Sequence, residues 1–96
     1  MRYLSVDPGV TTAWASFEDA TLCETDEVTR LDSDTAVDQW REHRQESDPP
    51  DRVIIEILDP WLRGGKNMAA LLTEDRIAHV LIGMWRSRDI EVEAIP

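Results

Sequence analysis

The 96-residue chain is predicted to form one mixed α/β domain: a five-stranded mixed sheet, built in the order β-β-β-α-β-α-β, with helices packed on it. Three observations predict this. Three short β-rich runs separated by tight turns occupy the first third of the chain. Two later stretches carry apolar residues at helical spacing. Between those stretches lies one continuous apolar, β-branched run, and a second, alternating run follows the last helix. A meander followed by strand–helix–strand crossovers gives a mixed sheet.

Arg2 to Val6 is the first strand, ending at Asp7-Pro8-Gly9, a strong turn sequence. Thr12 to Phe17 alternates Ala13 and Ala15 with Trp14 and Phe17 and reads as the second strand. Glu18-Asp19 supplies a tight turn, and Thr21 to Thr29 reads as the third strand of an antiparallel meander. Leu31-Asp32-Ser33-Asp34 then offers N-cap side chains and acids suited to a helix's positive end. That helix is expected to run to about Gln45, with Ala36, Val37 and Trp40 on its apolar stripe. Ser47-Asp48-Pro49-Pro50-Asp51 forms the clearest loop. Arg52 to Leu58 (RVIIEIL) carries the signature of a strand buried on both faces of a parallel sheet. After the loop from Asp59 to Lys66, Asn67 caps a long helix reaching about Arg88. Met68, Leu71, Leu72, Ala78, Leu81, Ile82 and Trp85 recur along it at helical spacing. Ile90 to Ile95 alternates apolar and acidic residues and closes the sheet. The chain shows neither a repeat nor a low-complexity tract, and residues 1–96 read as a single domain.

Twenty acidic against ten basic residues give a formal charge of −10. Taken whole, that balance argues against nucleic-acid binding, because phosphates call for Lys and Arg. The charge is regional, however. Residues 18–51 hold twelve acids and three Arg, whereas 63–88 hold Arg63, Lys66, Arg76, Arg86 and Arg88 against Glu74 and Asp75. Lys66 is the only lysine, a composition shared by salt-adapted proteins and by GC-rich genomes. One cysteine, Cys23, rules out an internal disulfide and a multi-cysteine zinc cage. No apolar run approaches the roughly 18 residues of a membrane helix, and the start MRYLSVDPG lacks the form of a signal peptide, so a cytoplasmic protein without membrane contact is expected.

Two carboxylates stand out. Asp7 ends the first strand, and Glu56 interrupts the most hydrophobic strand in the chain. A carboxylate in an apolar run is costly unless it is paired or binds a cation. Two of them on neighbouring central strands suit Mg²⁺ or Mn²⁺, which take hard oxygen ligands and leave positions for water and substrate phosphate. Paired metals activate a water and stabilise the leaving oxygen in phosphodiester hydrolysis. The plainer alternative puts each carboxylate at a strand end, accepting backbone or Arg hydrogen bonds.

Tyr3 to Thr12 (YLSVDPGVTT), the strand Val53 to Ile57 (VIIEI) and the loop, helix and strand that follow resemble the RuvC-type Holliday-junction resolvases of the ribonuclease-H-like superfamily. The resemblance spans nearly the whole chain on few identities. It implies a ribonuclease-H-like fold and divalent-metal-dependent cleavage of branched or structured DNA. Asp7 and Glu56 would be catalytic metal ligands, and a homodimer would be one assembly to look for. It also implies that Trp61, in the loop after the Glu strand, and Lys66-Asn67, at the start of the long helix, belong to the family pattern. Two departures are visible. Ala13 stands where the family usually has Gly. The family also continues past its fifth strand into basic residues and a final helix bearing further catalytic acids, whereas this chain ends at Pro96 and is expected to be C-terminally short. Asp59 and Asp75 are the acids near enough in sequence to replace the missing ones, although Asp59 fits a strand exit and Asp75 a solvated helix face. The corresponding alternatives are a fold that binds or assembles without cleaving and, more distantly, a fragment of an actin-like ATPase. The second normally needs Gly-rich phosphate loops that are not visible here.

Trp61, between Pro60 and Gly64-Gly65, is placed either to stack on an unpaired base or to fold over the core edge. Arg63 and Lys66 are the candidate phosphate contacts beside it. Gly64-Gly65-Lys66 is not a P-loop, for it lacks the leading Gly and a following Ser or Thr. Trp14, Trp40 and Trp85 are expected in the core. His43 and His79 lack metal-ligand spacing and are expected on helix faces, and Cys23 is a small strand filler.

Overall fold

The computed structural model describes residues 1–45, 49–57 and 68–96. The elements follow the expected order: β1 (Arg2–Asp7), β2 (Thr12–Glu18), β3 (Thr21–Val28), α1 (Ala36–Arg44), β4 (Arg52–Glu56), α2 (Met68–Ser87) and β5 (Glu91–Ile95). The five strands form one sheet in the order β3-β2-β1-β4-β5. β1, β2 and β3 pair antiparallel, with a bulge at Ser16/Phe17, and β1, β4 and β5 run parallel. β3 and β5 are the two edges of this sheet, and β3 is the antiparallel one. Its acids and threonines leave nearly every residue exposed, a composition that discourages edge-to-edge pairing. No helix among the described residues is long and apolar enough to cross a membrane.

α1 begins later than its cap-rich approach suggests. Asp32 does not cap it; its carboxylate accepts the Asp34 N–H at 2.8 Å and closes a turn ahead of the helix. Thr35 occupies the N-cap without capping a backbone N–H, and its hydroxyl instead donates to Gln39 Oε1 at 3.0 Å. Gln39 completes the clamp by accepting the Asp32 N–H and donating to the Arg30 carbonyl, both at 3.1 Å. α2 ends in a Schellman turn. Asp89 takes the left-handed conformation (φ 58°), its N–H donates to the Arg86 carbonyl, and the Ile90 N–H donates to the Trp85 carbonyl. Ile90 is buried beside that turn, which aims the chain into β5.

The core lies between one face of the sheet and both helices. Leu4, Val6, Trp14, Val53 and Ile55 share the face that meets Ala36 and Trp40 of α1 and Ile77, Ala78, Leu81 and Trp85 of α2. The three tryptophans expected in the core interlock edge to face: Trp14–Trp40 centroids lie 6.4 Å apart and Trp40–Trp85 centroids 5.4 Å. The Arg44 guanidinium sits 4.2 Å from the centre of the Trp14 ring.

Two expectations are corrected here. β4 is not buried on both faces: Val53 and Ile55 are fully buried, but Arg52, Ile54 and Glu56 alternate with them and stay partly exposed. Both helices pack on the same side, so neither described helix covers the opposite face of β4. Leu72, expected on the apolar stripe of the long helix, is 46% exposed, because α2 turns the line through Leu71, Ala78 and Leu81 to the sheet.

A candidate metal centre at the strand ends

Asp7 sits at the last position of β1 and Glu56 at the last position of β4. The parallel register pairs Val6 with Ile55, so one step further along, Asp7 and Glu56 are neighbours. Adjacent strands lie about 4.8 Å apart, and both residues alternate with buried partners, so the two carboxylates project from the same, uncovered face.

The turn after β1 is fixed from within. Thr12, fully buried, donates its hydroxyl to the Gly9 carbonyl at 2.8 Å and accepts the Gly9 N–H at 3.1 Å. The Val10 carbonyl accepts the Leu31 N–H at 2.8 Å. Pro8 and Gly9 are therefore held at the rim of the sheet, and Asp7 with them. A Cβ at Gly9 would lie a tight 3.1 Å from the Thr11 carbonyl oxygen and in ordinary contact, at 3.8 Å, with the Glu74 carboxylate.

Glu74 is the residue that sequence reasoning passed over. It lies in the second turn of α2, and together with Asp7, Glu56 and residues 8–11 it lines an open cleft of about 450 Å³. The signal was present, since Glu74 falls on the line of Leu71, Ala78 and Leu81, whose members are buried. An acid interrupting an apolar helical stripe is the same signal that marks Glu56 in its strand. Asp75, the acid weighed instead, does not line this cleft; its carboxylate pairs with His79 at 3.3 Å on the same helix. Asp59, Trp61, Arg63, Lys66 and Asn67 lie outside the described residues.

His43 and His79 stay away from the cleft. His43 Nε2 accepts the Trp14 indole N–H at 3.2 Å, and His79 is exposed. Cys23 is an exposed free thiol on the edge strand.

No known family model matches this chain, and no curated protein shows significant similarity to it. The site must therefore be judged on its own donors. Asp7, Glu56 and Glu74 line one water-accessible cleft whose described lining contains no basic side chain. Hard oxygen donors open to solvent are what Mg²⁺ or Mn²⁺ requires, since such ions keep several waters. Among the described residues, no three His, Cys, Asp or Glu side chains stand together as a group that could hold a metal ion. Asp7 and Glu56, neighbours at the ends of adjacent parallel strands, are the pair that would hold such an ion, with its remaining ligands drawn from water and substrate.

Proposed function

We propose that this chain is a ribonuclease-H-like domain of RuvC type that cleaves phosphodiester bonds in branched or structured DNA with Mg²⁺ or Mn²⁺. The observation that carries the reading is the side-by-side placement of Asp7 and Glu56 on adjacent parallel strand ends, opening on a cleft that Glu74 shares. In this reading Asp7 and Glu56 hold the metal directly. Glu74 supplies the further carboxylate that the family draws from its last helix. The bound ion would lower the pKa of a water and offset charge on the leaving oxygen. The protein's own contribution is placement: the Thr12–Gly9 bonds fix Asp7, and the Val53–Ile55 core ladder fixes Glu56. Trp61, Arg63 and Lys66 follow β4 in sequence and are the DNA contacts of this proposal.

One observation favours a second reading, a domain that binds or assembles without cleaving: among the described residues no three acid, imidazole or thiol side chains form a group that could hold a metal ion. Incubation of a labelled four-way junction with Mg²⁺ or Mn²⁺, wild type beside Asp7→Asn, separates the two. Nicking by the wild type that falls at least 100-fold in the variant supports the nuclease. Nicking that survives the substitution sinks the assigned site, and a wild type that binds junctions without cutting them favours the second reading.

A further inference from the structure

Parallel strands are seldom left with a bare face, because crossover helices normally cover both sides. Here β1, β4 and β5 run parallel, yet α1 and α2 both pack on one side, and no described helix lies on the other. The bare face has an apolar floor. Tyr3, Phe17 and Ile54 project there half-buried, outside the core cluster, and Ser5, Ala13 and Ala15 between them present little bulk. Its border is acidic: Asp7 and Glu56 at one end, Glu27 on the β3 side, Glu91 and Glu93 on the β5 side. Arg52, the basic residue on this face, is tied to Glu93 at 2.7 Å and lies 3.9 Å from Glu91.

We propose that this face seats an amphipathic helix of a partner protein, its apolar stripe on Tyr3, Phe17 and Ile54 and its flanks lined with Lys and Arg. The small residues along the floor let a helix approach closely, and apolar anchors at i, i+3, i+4 and i+7 match such a seat. Charge complementarity selects the occupant. A second copy would bring one acidic border against another, in chains that each carry −10. The proposal does not depend on metal binding.

The test uses a fluorescein-labelled helical peptide of about 18 residues, five turns, with a Leu stripe and Lys flanks. Its control is a scrambled peptide of the same composition. Anisotropy with the full chain is expected to show saturable binding, at least about tenfold weaker for the scrambled peptide and weakened in about 0.5 M NaCl. Ile54→Asp and Phe17→Lys are each expected to cost about tenfold, whereas Leu72→Asp, on the outer side of α2, leaves binding unchanged. Far-UV circular dichroism checks folding; if Ile54→Asp unfolds the central strand, the half-exposed Phe17→Lys decides. Four results overturn the proposal: no saturable binding, equal binding of the scrambled peptide, equal loss in Leu72→Asp, or a wild-type dimer that Phe17→Lys dissociates. The last result would give the face to a second copy.

Discussion

Replacing Thr12 by Val keeps side-chain size and removes the hydroxyl that closes the Asp7-Pro8-Gly9 turn. Thr12 is fully buried and Gly9 is buried, so water does not readily replace the two lost bonds. A net hydrogen bond contributes about 1 kcal/mol, and a buried group left unpaired costs about 1–3 kcal/mol. Two groups of Gly9 lose a partner at once, one N–H and one carbonyl. The carbonyl retains a second lone pair, which puts the total near 2–3 kcal/mol rather than the upper bound. For a domain of this size about 1 kcal/mol moves Tm by roughly 4–8 °C, so Thr12→Val is expected to lower Tm by on the order of 10–20 °C. Thr12→Ser keeps the hydroxyl and gives up one methyl, about 1 kcal/mol, and so recovers most of the loss. Urea melts of the three proteins, read as ΔG with a shared m value, provide the assay. A Thr12→Val protein within about 0.5 kcal/mol of wild type would refute the hydroxyl as the lock on this turn. A Thr12→Ser protein as unstable as Thr12→Val would show that the methyl contact, not the hydrogen bonds, holds it.

Glu74→Gln is expected to weaken Mn²⁺ binding by about tenfold in isothermal titration, while Asp75→Asn one residue away leaves it unchanged; equal effects would remove Glu74 from the donor set. Trp85→Ala empties a fully buried site and breaks the edge-to-face contact with Trp40, so a loss of about 3–5 kcal/mol is expected in urea unfolding, with a loss below about 2 kcal/mol counting against the interlocked core. Junction binding in the presence of Mg²⁺ is expected to show a shallow salt dependence, with log K against log salt sloping by about −3 or less in magnitude, because the proposed DNA contacts include only two basic residues, Arg63 and Lys66. A slope near that of a protein neutralising six or more phosphates would place the DNA elsewhere.

The strands and their order were legible because each carries its own signal: turn residues at Asp7-Pro8-Gly9 and Glu18-Asp19, alternation around Trp14, and a β-branched run in β4. The start of α1 was not, because Asp32, Ser33 and Asp34 all resemble caps. The choice is made by Gln39, seven residues after Asp32, whose amide ties Arg30, Asp32 and Thr35 together. The one-sided burial of β4 was hidden for a different reason. RVIIE satisfies the pattern of a doubly covered strand whether or not a second layer exists, since the run records what the strand tolerates and not what packs on it. Asp7 and Glu56 could be picked out as acids in apolar runs. That they are neighbours needed the register between β1 and β4, and Glu74 needed the rotation of α2.

The distribution of charge also changes meaning once the strands are in place. Along the chain, residues 63–88 look like a basic segment attached to the candidate site. In the fold, α2 carries its last arginine away from it: at about 1.5 Å per residue, Arg86 lies some 18 Å along the helix from Glu74. Arg88 gathers instead with Arg41 and Arg44 around Trp40, lining a separate cavity of about 400 Å³ at the other end of the helix pair. Among the described residues the cleft is lined by three acids and no basic side chain. A divalent ion held there changes the sign of the local field, as a bound cation is the largest charge in such a site. On the proposed reading, metal binding would serve as both the chemistry and the means of admitting a phosphodiester, so DNA affinity at the cleft is expected to rise and fall with metal occupancy.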